Sequence, residues 1–276
     1  MVRNTVKYVP GTPLDGYAAA LGEVSRTGRV QVDAYGLNDA VAQADSVANL
    51  LAALHRDEQA MSVRIAGRLA PHWPQGEAPV DITVHLVVGG ASDGFVLDRE
   101  TAPEFYIAID KAGGDIAGLE QNVTHESVHV LQRQLGLRHC PQRPEIDQLP
   151  PLQRFHATVY EEGVANYLAD PADIRGEGDY IAMWRGRYQR NATSERVREN
   201  AWLYNALHDG LRSGALSWDT AYQFGFFGNL DSRMYFVGRE IAQRLDRAGA
   251  APLSKAFVCA PEAFFNHLGS GMRDLV

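Results

Sequence analysis

The sequence predicts an α+β fold, a predominantly helical arrangement with a small β-sheet next to one central helix. Two observations predict it. Helical periodicity dominates before residue 70 and after residue 152, whereas β-branched residues and turn chemistry are confined to residues 80–110. The order is therefore helices, a few strands, then helices, which argues against alternating βαβ units.

Residues 1–14, with Pro10 and Pro13, read as an extended arm. From Asn38 or Asp39 to His55, Val41, Val47, Leu50, Leu51 and Leu54 recur at helical spacing. A second helix is expected from Asp57 to Leu69, ending near Pro71, with a loop over residues 72–79. Val80 to Val88 reads as a buried strand, Gly89 to Gly94 as a turn, and Phe95–Leu97 and Glu104–Asp110 as further strands. The glycine-rich turn lacks the Gly-Lys-Ser/Thr ending of a phosphate loop. Asp115 is placed to cap a helix that reaches Leu135, with Gly136 as its stop. A loop from Arg138 to Pro151 holds four prolines, and helices are expected over 152–169, 179–190, 195–213, 217–225, 231–247 and 253–267. Trp184, Trp202 and Trp218 fall at helical positions and read as core or interhelix residues. These elements group as an N-terminal arm and helical layer, 1–70, and a second domain, 71–276, or as one continuous domain.

The composition narrows function. With 45% hydrophobic and 22% charged residues the chain reads as an ordinary globular protein. A net charge of −8, with no block of Lys or Arg, argues against nucleic acid or an anionic membrane surface as a partner. No apolar run approaches a membrane span, and Met1-Val2-Arg3-Asn4 does not open a signal peptide. Cys140 and Cys259 lack metal-site spacing, and they leave compartment and pairing open, as the chain does oligomeric state.

The chemistry concentrates in His125-Glu126-Ser127-Val128-His129. Four residues apart on a helix, the two imidazoles share a face and can hold one zinc ion, while Glu126 points about 100° away, within reach of a water. A catalytic zinc site needs a third protein ligand. The long zincin pattern is excluded, because Gln132 and Leu135 stand where Gly and His are required. Downstream, Glu161-Glu162-Gly163-Val164-Ala165 lies in a predicted helix. Glu162 is the expected ligand, with Glu161 and His156 as alternatives. Asn166, one turn further on, could support the site from behind.

H-E-S-V-H followed by Y-E-E-G-V-A-N-Y resembles the gluzincin class of zinc metallopeptidases, in which such a segment supplies a glutamate ligand. More narrowly, the chain is similar, over roughly residues 80–268, to bacterial families of predicted zinc-dependent peptidases. These share a strand before the motif helix, here Glu104 to Asp110, and a late helix carrying Met234-Tyr235-Phe236-Val237-Gly238. The gap from His129 to Glu162 is longer than in several better-known members. The resemblance implies that residues 71–276 form a zincin-like catalytic domain, with a Zn2+ cofactor on His125, His129 and Glu162 and a peptide or protein substrate. It also implies Glu126 as general base and Tyr235 as the donor that steadies the oxyanion. His208 is a second candidate donor. The strand at 104–110 is a candidate to pair with substrate along a sheet edge. Two competing readings are a catalytically silent zinc-binding protein of the same fold and a helical interaction module with a chance H-E-x-x-H.

Overall fold

The computed structural model describes residues 3–4, 37–89, 93–95, 102–140, 144–227 and 231–249. The expected helix at 253–267, Cys259 and most of the N-terminal arm lie outside them. The α+β expectation holds. Helices α1 (Leu37–Ala42) and α2 (Ala44–Leu69) precede the sheet. Strand β1 (Arg3–Asn4) joins β2 (Asp81–Val87), β3 (Gly94–Phe95) and β4 (Glu104–Ala108) in the order β1-β2-β4-β3. Helices α3 (Ile116–His139), α4 (Pro151–Leu168), α5 (Asp179–Asn191), α6 (Ser194–Ser213), α7 (Trp218–Gly225) and α8 (Arg233–Arg247) follow.

The chain divides into two compact units. One comprises residues 1–70, 78–130 and 171–183, the other 71–77, 131–170 and 184–276. Helix α3 runs unbroken through residue 130 and belongs in part to each.

In the first unit, the helix expected to restart at Asp57 does not. Buried Leu50, Leu54, Met61, Ile65 and Leu69 form one stripe across that point, so a single helix of 26 residues buries it. Asp57, read as a start signal, instead pairs with Arg64 two turns on (2.5 Å). The break falls earlier, at Gln43. β2 runs parallel to β4, from Thr83 beside Glu104 to Val87 beside Ala108, and β3 lies antiparallel on the far side of β4. His85, Tyr106 and Phe95 form a ladder of stacked rings across these strands, with centroids 4.8 and 5.2 Å apart, which pins the short β3 in register.

α3 starts as expected. Asp115 Oδ1 accepts the Gly118 N–H (2.9 Å), and Oδ2 accepts the Ile181 N–H (2.8 Å). One turn on, buried Glu120 receives Arg64 (2.6 Å) and Arg68 (2.7 Å), both from α2. The expected stop at Gly136 is overrun by three residues. Glu77 holds the last turn by bonding Arg138 (3.2 Å) and His139 (2.6 Å), so the helix ends at His139.

In the second unit, α4 packs on α8 at a point where neither helix has a side chain. A Cβ on Gly163 would lie 2.3 Å from the Gly238 Cα, and one on Gly238 would lie 2.2 Å from the Val159 carbonyl oxygen. The small residue after Glu162 thus serves the approach to α8. Asn166, fully buried, donates to the Glu162 carbonyl (2.8 Å), and the Tyr188 hydroxyl sits 2.6 Å from the Asn166 carbonyl. His156 of α4 groups with Tyr204 and His208 of α6, the three ring centroids lying 5.4 to 6.4 Å apart. Trp184 and Trp218 lie against Arg187 and Arg154, but Trp202 is 71% exposed, contrary to the expectation of a packed residue. The reason is register, since α6 buries Ala201 and Tyr204 instead.

Two outcomes follow from this packing. Gly163→Ala or Gly238→Ala forces backbone apart and should destabilise the fold by about 1–3 kcal/mol or more, seen as a lowered melting temperature. Burial, and then His208, depresses the His156 pKa from 6.5 to about 4. The unfolded chain therefore takes up that proton first, and stability should fall as pH drops from about 6.5 toward about 4. A pH series of melting temperatures should show this loss diminished in His156→Phe.

Candidate metal centre

The helix spacing of the motif becomes a measured distance in α3. His125 and His129 place their Nε2 atoms 3.1 Å apart, with the rings at 80° to each other. Two neutral imidazoles reach this separation when one donates to the other. It is also close to the roughly 3.3 Å that two nitrogens adopt at about 2.05 Å from a tetrahedral ion. Glu162, on α4, joins them. One ligand atom from each of His125, His129 and Glu162 lies within 4.8 Å of the others, and all three residues are half-buried.

The donor chemistry matches a catalytic zinc site, with two imidazole nitrogens and one carboxylate oxygen leaving a fourth position. No other set of three His, Cys, Asp or Glu among the described residues converges in this way. Glu161 and His156 are not in the group. His156 is held in the ring stack of the second unit, and His208 beside it lies 3.2 Å from Asp209.

Glu126 is 8% exposed and lies against β3. A Cβ added to Gly94 would stand 2.8 Å from both Cγ and Oε1 of Glu126, so only glycine leaves this carboxylate its position. The ring ladder that registers β3 thus also sets the floor under Glu126. Sequence reading assigned Gly94 to a turn. Its signal was a glycine at the start of a strand, a place where another group approaches the backbone closely.

The strand at 104–110 needs correction as an edge for substrate. Tyr106 and Ile107 of β4 are paired with β2 on one side and β3 on the other, so those ladder groups are already used. Asn166 is likewise accounted for by the Glu162 backbone and Tyr188.

Tyr235 lies on α8, half-buried, with its ring 6.1 Å from Phe226. Phe226 in turn stacks on Tyr222 (5.5 Å, 19°). Tyr222 is 39% exposed, and its hydroxyl pKa is raised by burial and by the Glu162 charge, with Arg154 acting in the opposite sense. The sequence marked Tyr235 through a motif and passed over Tyr222, which is a neighbour of Glu162 only through the packing of α7 on α4. Gln132, three residues past His129, is 6% exposed and its amide makes no hydrogen bond. It lies within about 60° of both histidines on the helix face.

No described helix is long and apolar enough to cross a membrane. Neither curated proteins nor solved structures match this chain significantly. A family profile described as "putative zinc dependent peptidase (DUF5700)" matches residues 14–265, a span that takes in the motif helix, Glu162 and α8. The chain belongs to this family.

Proposed function

We propose that the protein is a gluzincin-type metallopeptidase in which His125, His129 and Glu162 hold a Zn2+ ion. The observation that carries this reading is the convergence of those three donor atoms. It counts against a chance H-E-x-x-H, which has no reason to meet a downstream carboxylate. Membership of the family supports a hydrolase acting on peptide or protein.

Zinc, when bound, supplies Lewis acidity toward water and the scissile carbonyl. The protein's own groups do the rest. Glu126 accepts a proton from the attacking water and delivers it to the departing amine. Its burial against Gly94 limits the directions in which the carboxylate can turn, which is the preorganisation such a transfer needs. Tyr235 is the proposed donor to the oxyanion that forms on the carbonyl oxygen. The apolar packing around Tyr235 and Phe226 holds that ring in place.

Purified protein should bind one zinc per chain, lose peptide cleavage on chelation and regain it with added zinc. Protein that takes up no zinc would sink the proposal. Glu126→Gln should keep the metal and lower turnover by at least about 10²-fold, measured as kcat on a peptide library. Zinc uptake with no cleavage by the wild type would favour the silent zinc-binding protein. Gly94→Ala should preserve zinc content while lowering kcat by about tenfold or more, because the new methyl displaces the Glu126 carboxylate.

A further inference from the structure

Arg154 stands apart from most arginines of this acidic chain. Arg64, Arg68, Arg138 and Arg233 each sit on a carboxylate. Among the described residues no carboxylate pairs with Arg154. Its guanidinium lies over the Trp218 ring (4.7 Å), and its Nε is buried without a hydrogen bond. An arginine fork presents five donors, and a ring face satisfies none of them. Arg154 also occupies the first turn or so of α4, where the helix dipole favours an anion over a cation. The helix dipole favours an acid here, and the chain places a base.

What surrounds Arg154 belongs to the same unit as Glu162. Trp218 contacts Tyr222 (5.5 Å), and Tyr222 is partly exposed beside Glu162. Arg154 and Glu162 share α4, eight residues apart. That spacing is about 12 Å along the axis and about 80° round it. We infer that Arg154, backed by Trp218, binds the free C-terminal carboxylate of a peptide substrate whose scissile bond lies at the metal centre. This rests on the peptidase reading and assigns its substrate class. A planar carboxylate takes the arginine fork in two parallel hydrogen bonds, and the indole face holds the fork in plane. Allowing for both contact distances, and at 3.3–3.6 Å per extended residue, the 12 Å separation accommodates roughly two or three residues beyond the scissile bond. The products are then short C-terminal peptides, and internal cleavage of long chains is disfavoured.

The test uses zinc-loaded full-length Glu126→Gln protein, so that binding is measured without turnover. Two probes are compared by calorimetry, Ac-Ala-Phe-Ala-Ala with a free C-terminal carboxylate and the same peptide as its C-terminal amide. The acid should bind about tenfold to a hundredfold more tightly. Adding Arg154→Gln should erase that ratio, and Arg154→Lys should restore part of it. Because each variant supplies its own acid-to-amide ratio, loss of folded protein does not imitate the effect. Equal affinity for acid and amide, a ratio unchanged in Arg154→Gln, or binding of neither peptide would overturn the assignment. Wild-type protein that binds the acid selectively yet cleaves nothing would sink the peptidase reading and leave the carboxylate site standing.

Discussion

The rotation of α3 about its own axis is the constraint on which the site depends. A helix of this length is free to turn unless buried groups stop it, and here two carboxylates act beside the buried apolar residues Leu119, Val123 and Val128. Asp115 caps the first turn and also accepts a backbone N–H from Ile181. Glu120, 3% exposed, is clamped by Arg64 and Arg68. Removing one side of such a buried pair leaves an uncompensated charge, at a cost of about 3–5 kcal/mol. With that rotation set, His125 and His129 face one way and Glu126 faces β3.

Glycines set the next level of placement. Gly94 lets the Glu126 carboxylate rest on a strand, and Gly163 with Gly238 lets α4 and α8 meet backbone to backbone. Gly163 directly follows Glu162, so the contact that seats α4 also seats the carboxylate. Asn166 reinforces it from behind by donating to the Glu162 carbonyl, and the Tyr188 hydroxyl in turn donates to Asn166. The chemistry therefore rests on residues that carry no reactive group.

Much of this was legible in the sequence because it is local. The H-E-x-x-H spacing needs only a helix, and the cap at Asp115 needs only the next three residues. Gly163, next to Glu162, was visible as a small residue in a helix, but its use in the approach to α8 was not. The misreadings share a cause. Asp57 and Gly136 carry ordinary start and stop signals, and distant partners overrode them: the continuous apolar stripe of α2 in one case and Glu77 in the other. The strand at 104–110 was correctly seen as a strand, but its neighbours in the sheet were not, since pairing order is a long-range property.

By itself, then, the sequence determined the class of fold, the helix that carries two imidazoles on one face, and the carboxylate type expected to complete them. Each follows from periodicity or from contacts within a turn or two of helix. Only the tertiary structure decided that a Glu162 ligand atom lies within 4.8 Å of those of the histidines, that Gly94 underlies Glu126, and that Tyr222 feels the charges of Glu162 and Arg154. Those outcomes depend on side chains from elements far apart in the chain, and on backbone approaches of a few ångströms that no local pattern encodes.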